Sequence, residues 1–308
     1  MIRLIVGALL GMMIFLTGIR TMTLGLRALS GPRLRWALER FTHHPVAGLC
    51  TGALLTALTQ SSSGTAAAAV GLVDAGLLDL EQALGIILGA NIGTTLTGQL
   101  ISLQWRDLAP FAICMGAVMF FVDQRHAWGW AGAIVAGAGG LLWGIDLVAL
   151  ALRPLAQVPA VTHLILQWET SLYSGILAGM MLTATFQSSS ATIGLVLALA
   201  GEGLVGLSGG MAVVLGSNIG TVVTTLIASI GTEREARQTA VADLLFNALG
   251  VLAFLPLFGS YLALLRLSSA DVVHQIANGH TFFNVVTAMI ALPCIGQLAG
   301  WVRKLVPE

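Results

Sequence analysis

Two short polar motifs each occur twice in this 308-residue chain, and both pairs share one spacing. Gln-Ser-Ser-Ser begins at Gln60 and again at Gln187, and Gly-x-Asn-Ile-Gly-Thr begins at Gly89 and again at Gly216, both at an offset of 127 residues. Gln-Ser-Ser-Ser puts an amide and three hydroxyls into about one helical turn. This concentration of hydrogen-bond donors suits an oxyanion.

The same residue types also have a purely structural use. Serine hydroxyls bond back to their own helix, and small residues let membrane helices pack closely. Close packing does not require a glutamine as well. Duplication of the whole tetrapeptide therefore favours binding over packing.

Gly-x-Asn-Ile-Gly-Thr contains two glycines and an asparagine, which have low helix propensity. It therefore predicts a broken helix at 89–95 and an equivalent break at 216–221. A break frees N–H groups that favour anions, and it frees carbonyls that, with Asn and Thr oxygens, suit a hard monovalent cation. As a physical hypothesis, the two motifs predict a sodium-coupled transporter of a small oxyanion, with one site built from both copies.

The composition identifies the environment of these motifs. Hydrophobic residues make up 56% of the chain and charged residues only 9%, against about 25% charged in soluble domains. This excludes a soluble or disordered protein, and the zero net charge gives no reason to expect nucleic acid as a partner. The cysteines and histidines show no disulfide or metal spacing, so we expect no cofactor and no metal beyond sodium.

Charge-free runs indicate where the chain enters the membrane. Residues 41–73, 170–201, 204–232 and 272–302 contain no Asp, Glu, Lys or Arg. About 20 apolar residues span the hydrocarbon core as a helix, so each run is long enough to cross, or to enter and turn back. No segment alternates with period two, which favours an all-α polytopic membrane protein over a barrel.

The repeat extends beyond the motifs. Residues 56–98 and 183–225 align without a gap and share 18 identities in 43 positions, and Leu16–Leu29 aligns with Leu142–Leu155 at an offset of 126. The second match indicates that the N-terminal apolar segment is a retained helix and not a cleaved signal peptide.

We therefore expect three units. Repeat 1 covers 1–126 and repeat 2 covers 127–258, each with a helix, a re-entrant hairpin holding Gln-Ser-Ser-Ser, a broken helix holding the second motif and a further helix. Residues 259–308 are expected to form a C-terminal helix and a short cytoplasmic tail.

The segment 46–74 has two interpretations on residues alone. As a re-entrant hairpin it gives three crossings per repeat and inverted repeats, whereas as one long helix it gives four crossings and parallel repeats. The number of basic residues on each side of the membrane does not distinguish the two interpretations, and both place Arg303 and Lys304 in the cytoplasm. The loop 27–45 carries four arginines and its counterpart 153–171 carries one, which favours inversion.

The duplicated motifs resemble the bacterial branch of the type II sodium/phosphate cotransporter family, over about residues 4–293. Further matching stretches are Gly139–Leu147, Arg234–Arg237, Leu245–Asn247 and His280–Asn284. The resemblance implies two inverted repeats with re-entrant hairpins and broken helices. It implies that phosphate binds at Gln60, Ser61, Ser62, Ser63, Gln187, Ser188, Ser189 and Ser190. It implies that sodium binds at Thr65, Asn91, Thr94, Thr95, Thr192, Asn218 and Thr221, with Asn247 and Asn284 as supporting residues around the site.

The sequence departs from the family pattern in two places. Many bacterial members carry a PhoU-like helical domain after the membrane core, which we do not expect here. Val222 stands where the first copy has Thr95, so one cation ligand is expected to be missing on that side.

Several alternatives remain open at this point. The expected location is the cytoplasmic (inner) membrane with the C-terminus inside, and a homodimer is a possible assembly. Transport could serve uptake or export, or carry another small oxyanion. An intramembrane hydrolase would need a base beside its serine, and no His or Lys is placed to activate the serines of the motifs, so we expect no enzyme. A non-transporting membrane subunit would not need the duplicated polar motifs.

Overall fold

The chain is helical throughout the part that the structure describes. The structure is a computed structural model, and it describes residues 2–40, 44–123, 126–154 and 158–307. Those residues form α-helices joined by turns and short 3-10 helices, without a strand. The α-helices are α1 (Ile2–Arg40), α2 (Pro45–Thr59), α3 (Ser62–Asp74), α4 (Leu80–Ser102), α5 (Ala109–Val122), α6 (Ala127–Leu152), α7 (Pro159–Thr170), α8 (Leu172–Phe186), α9 (Ser189–Gly201), α10 (Leu207–Ala228), α11 (Arg234–Phe254), α12 (Phe258–Ser268), α13 (Val272–Ala291) and α14 (Ile295–Leu305).

Within the described residues, five segments are long and apolar enough to cross a bilayer, and a sixth results if α11 and α12 form one span. The α11–α12 pair bends by 85° at its break. Of the spans, α4 and α10 are the most buried inside the protein, so they form its centre. The predicted fold class, an all-α polytopic membrane protein, is confirmed.

The equivalent first helices of the two repeats, α1 and α6, pack side by side in opposite directions. Gly7, near the start of α1, faces Ala151 near the end of α6. Gly25, further along α1, faces the start of α6, where an added Cβ would lie 2.6 Å from the Trp130 carbonyl oxygen. Because repeat-equivalent helices run antiparallel, the repeats are inverted, which is the alternative that the unequal arginine counts favoured.

The chain turns back at each Gln-Ser-Ser-Ser motif. Gln60 has φ 53°, in the left-handed region, where it ends α2 before α3 begins. The hydroxyls of Thr56 and Thr65 lie 2.9 Å apart on the two sides of this turn. Nine residues of straight helix would separate them by about 13 Å. The hairpin interpretation is therefore correct, and the single long helix is wrong.

The second repeat contains the same hairpin. Gln187 has φ 50° between α8 and α9, and the hydroxyls of Thr183 and Thr192 lie 2.8 Å apart. The left-handed backbone at both glutamines is a local strain that the surrounding helices must maintain, since a side chain disfavours this conformation.

The predicted breaks at 89–95 and in the equivalent motif are wrong, because α4 and α10 are continuous through both motifs. The glycines serve close packing instead. A Cβ at Gly89 would overlap the Leu49 carbonyl oxygen of α2, and one at Gly216 would overlap the Ile176 carbonyl oxygen of α8. Each hairpin thus packs backbone to backbone on the central helix of its own repeat.

Two predicted segment boundaries are also wrong. The loop expected at 27–45 is largely helical, since α1 continues to Arg40; the side chains of its later arginines lie outside the described residues. The segment 259–308 forms more than one helix. Pro293, which has no N–H to donate, lies in a short 3-10 turn that interrupts the helix after Ala291.

The close contact of α2 with α4 predicts a steep dependence on side-chain size. Gly89→Ala is expected to lower stability by about 1–3 kcal/mol, because the new methyl group meets backbone atoms that cannot move aside. Gly71→Ala is the matched control, since nothing lies within 4 Å of a Cβ there. Thermal unfolding of the detergent-purified variants measures the effect. Equal melting temperatures for the two variants would contradict the proposed packing role.

Candidate functional site

The first serine of each motif caps a helix. Ser61 Oγ accepts a hydrogen bond from the N–H of Gly64 at 3.1 Å, and Ser188 Oγ accepts one from the N–H of Ala191 at 3.2 Å. These are N-cap bonds at the starts of α3 and α9. Ser61 and Ser188, both predicted as phosphate ligands, thus also hold the helix ends in place.

The next two serines of each motif lie in the first turn of these helices and are buried. Their hydroxyls form no hydrogen bond with other described residues, and the first N–H groups of an α-helix have no partner within the helix. The positive end of the helix dipole lies at the same place. Each hairpin therefore presents unused N–H and O–H donors to an anion at Ser62, Ser63, Ser189 and Ser190.

The two glutamines differ. Gln60 is buried; its Oε1 accepts a bond of 2.5 Å from the Thr97 hydroxyl of α4, and its Nε2 donates to the Ala57 carbonyl at 2.5 Å. The Thr23 hydroxyl of α1 also donates to the carbonyl of Thr59 next to it, at 3.3 Å. By contrast, Gln187 is exposed. The glutamine of the first turn is thus bonded to a central helix, whereas the glutamine of the second turn is exposed.

A cavity of about 230 Å³ lies beside the first hairpin. Its lining includes Thr59, Ser61 and Thr65, together with the exposed guanidinium of Arg27. The Thr59 hydroxyl is buried without a hydrogen-bond partner in the described part of the chain. Polar groups and a positive charge thus line a space that holds several water molecules, at about 30 Å³ each.

Arg27 was not among the residues predicted for the site. Its repeat counterpart, Arg153, forms an ion pair and hydrogen bonds with Glu202, and these raise the pKa of the Arg153 guanidinium. The equivalent carboxylate does not exist in repeat 1, because Ala75 occupies that position. This difference between the repeats is readable from the alignment, whereas the position of Arg27 beside the cavity is not.

Most of the predicted sodium ligands lie at mid-helix and already bond to their own backbone. The hydroxyls of Thr94, Thr95 and Thr221 donate to carbonyls three or four residues earlier, and Asn218 Nδ2 donates to the Val214 carbonyl at 3.0 Å. Because the helices are unbroken, no carbonyl is freed here for a cation. The side-chain oxygens are the groups that remain to bind one.

The other predicted ligands connect separate elements. Thr65 and Thr192 join the two arms of their hairpins through the threonine pairs at each turn. Asn91, in the middle of α4, donates from Nδ2 to Asn247 Oδ1 of α11 at 3.2 Å. Asn247 is therefore in direct contact with Asn91, one of the predicted sodium ligands.

Asp243 joins this network, although it was not included in the predicted site. Asn247 Nδ2 donates to Asp243 Oδ1 and the Thr225 hydroxyl of α10 donates to Asp243 Oδ2, both at 2.8 Å. The available sequence signal was a carboxylate within an apolar segment. Its partners come from other helices and are set by the tertiary structure.

Asn284 lies on α13, which packs against α4. Its Nδ2 donates to the His280 carbonyl at 2.9 Å. Its Oδ1 and the His280 Nδ1 are both buried without a partner in the described structure. Asn284 therefore has an unused acceptor near the central helix, and among the described residues it forms no hydrogen bond with either serine motif.

Comparison with known proteins connects this arrangement to a transport family. A family model described as "Na+/Pi-cotransporter" matches residues 14–150 and 140–291. An uncharacterised protein of Bacillus subtilis (strain 168), YqeW, is 32% identical over 293 residues, covering 95% of this chain and 95% of that protein.

Two further relatives have names that refer to phosphate. A protein of Escherichia coli (strain K12), provisionally named as the inorganic phosphate export protein YjbB, is 27% identical over 92% of this chain, and the match spans 52% of that protein. Sodium-dependent phosphate transport protein 2A of Ovis aries is 47% identical over 61 residues, which are 20% of this chain and 10% of that protein. No solved structure matches. The chain belongs to the Na+/Pi-cotransporter family.

Proposed function

We propose that this protein is a sodium-coupled secondary transporter of inorganic phosphate, with a site formed by the two hairpin turns and the central helices. The observation that carries the proposal is the duplicated helix N-terminus with free serine hydroxyls, on two inverted repeats. Family membership supports the substrate class, since the family is one of transporters rather than enzymes.

Phosphate is proposed to bind between the turns, with Ser62, Ser63, Ser189 and Ser190 as donors from hydroxyls and N–H groups. Ser61 and Ser188 position these donors, and the glutamines offer amide N–H groups, Gln60 from a buried and Gln187 from an exposed position. Neutral donors at helix N-termini stabilise an anion at membrane depth, while the charge of Arg27 lies at an exposed position beside the first turn. The anion can then leave as well as enter, because no buried ion pair with the protein has to be broken.

The difference between the hairpins fits alternating access. Gln60 is bonded to Thr97 and buried, while Gln187 is exposed. Since the repeats are inverted, exchanging these two states would close one side of the membrane and open the other. The bond between Gln60 and Thr97 is then one contact that must break during transport.

Sodium is proposed to bind among the side-chain oxygens around the turns and central helices. The candidates are Thr65, Asn91, Thr94, Thr95, Thr192, Asn218 and Thr221, with Asn247 bonded to Asn91. Val222 offers no oxygen where repeat 1 has Thr95, so the two sides differ in ligands. No further cofactor enters this proposal.

The protein is proposed to lie in the cytoplasmic membrane with its C-terminus inside, because Arg303 and Lys304 end α14 and basic residues concentrate on the cytoplasmic side. Direction follows from the ion and phosphate gradients. Export is the second candidate function, favoured by the name of the Escherichia coli relative.

Sodium coupling predicts that an inward sodium gradient drives phosphate accumulation. Purified protein in proteoliposomes is expected to take up radiolabelled phosphate with sodium outside, and to lose most of this uptake with choline in its place. Sulfate supplied in excess is the control for anion selectivity. Equal uptake in sodium and choline would contradict coupling, and full competition by sulfate would contradict phosphate as the substrate.

The free serine hydroxyls predict a direct loss of phosphate affinity on removal. Ser62→Ala and Ser189→Ala each remove a hydrogen bond to a charged ligand, worth about 1.5–3 kcal/mol, so the phosphate Kd should rise about 10- to 100-fold. Ser260→Ala, at an exposed position on α12, is the matched control. Isothermal calorimetry with phosphate measures the change. Wild-type Kd values in both motif variants would remove these serines from the site.

Arg27 predicts an electrostatic contribution to phosphate entry. Arg27→Gln is expected to raise the half-saturating phosphate concentration about two- to fivefold, and less at high salt, because an exposed charge is screened. Arg266→Gln makes the same charge change at an exposed position of α12 and should leave this value unchanged. Uptake kinetics at low and high ionic strength measure both variants. An equal effect of the two changes would mean that only net charge matters.

A further inference from the structure

Asp243 is a buried carboxylate without a positively charged partner in the described part of the chain. Its side chain is 3% exposed and lies on α11, whose neighbours include the central helix α10. Its two oxygens accept hydrogen bonds from Asn247 Nδ2 and the Thr225 hydroxyl, each at 2.8 Å. No Lys, Arg or His side chain pairs with it among the described residues.

A charge in this position is costly. Burying an ionised carboxylate without a paired charge costs several kcal/mol, and hydrogen bonds from neutral groups offset only part of this. Acids at membrane depth therefore pair with a cation or mark an ion pathway. Asp243 has hydrogen-bond donors that hold it in place, but no cationic side chain of the described residues pairs with it.

The direct partners of Asp243 are Thr225 from α10 of repeat 2 and Asn247 from α11. Asn247 is in turn bonded to Asn91 of α4 in repeat 1 at 3.2 Å, so the network extends from Asp243 to a third element. Asn91 uses its Nδ2 in that bond, so its Oδ1 remains available. Carboxylate, hydroxyl and amide oxygens are the ligands that hard cations prefer.

Helices α11 and α13 carry a similar residue pattern, but only α11 has a carboxylate in it. Asp243 lies four residues before Asn247 in α11, and His280 lies four residues before Asn284 in α13; each Asn follows a Phe and donates to the carbonyl of that earlier residue. Thus α13 packs against α4 with the same residue pattern with which α11 packs against α10.

On the α13 side the cation ligands are replaced. Gly98 is the repeat counterpart of Thr225, and a Cβ there would lie 3.7 Å from His280 Nδ1. The hydroxyl is missing, an imidazole replaces the carboxylate, and the Nδ1 of His280 has no partner in the described structure. The two matching positions therefore differ in charge, and only the α11 side carries an anionic ligand.

We propose that Asp243 is the anionic ligand of a sodium ion, held together with the Thr225 hydroxyl and the amide oxygen of Asn91. This rests on the proposed function and identifies the ion site that couples transport. Because its ligands come from both repeats, an ion bound here would hold α4 and α10 in one arrangement. Release of the ion would leave an uncompensated carboxylate and favour rearrangement.

The test is sodium binding by purified protein in the absence of phosphate. Thermal stabilisation by NaCl is measured against choline chloride at equal ionic strength, for wild type, Asp243→Asn, Thr225→Val and Asp107→Asn. Asp243→Asn keeps the shape of the side chain and removes its charge, so the half-saturating sodium concentration should rise at least tenfold. Thr225→Val should raise it by a smaller factor, and Asp107→Asn, at an exposed position, should match wild type.

The outcomes separate this inference from the proposed function. A sodium response that is unchanged in Asp243→Asn overturns the ion site and leaves sodium coupling intact. If Asp243→Asn fails to fold, an unchanged response in Thr225→Val overturns the site instead. A wild-type protein that phosphate stabilises but sodium does not would overturn both the coupling and the site. Stabilisation by lowered pH in place of sodium, lost in Asp243→Asn, would assign the carboxylate to a proton and overturn the sodium assignment.

Discussion

Hydrocarbon supplies no hydrogen bonds to a peptide chain, and the arrangement of this protein depends on that constraint. Each hairpin interrupts a helix at membrane depth, which is tolerated only where the freed groups find partners within the protein. The serine caps and the threonine pairs at the turns provide part of these partners. The remaining donors, in the first turns of α3 and α9, have no partner among the residues that the structure describes. A bound anion would supply them.

Close backbone contact makes the hairpins rigid enough for this. Gly89 and Gly216 let α2 and α8 lie directly on α4 and α10, so each turn is held at a defined place on a central helix. The same device joins the repeats, since glycines on α1 and α6 form an antiparallel pair. Small residues thus determine the positions of the polar ones.

The two repeats have diverged where charge and ligands matter. Arg27 lacks the carboxylate that neutralises Arg153, Val222 replaces a threonine, and His280 stands where α11 carries Asp243. A transporter built from inverted repeats needs similar backbones in both repeats in order to open on both sides. Its ions and substrate, however, can bind to side chains that differ between the repeats. The divergence is concentrated in the side chains, whereas the backbone of the two hairpins is the same.

The sequence by itself determined the membrane class, the internal repeat and the serine motifs, because composition and exact duplication are local and countable. It misjudged the second motif. Glycine and asparagine have low helix propensity in isolation, yet at Gly89 and Gly216 the gain from packing against a neighbouring helix outweighs that preference. Only the tertiary structure decided that the break falls at Gln60 and Gln187, and that the repeats are inverted. It also decided which residues surround Asp243, because Thr225 bonds to it from another helix and Asn91 bonds to its partner Asn247, and no spacing in the chain encodes either contact.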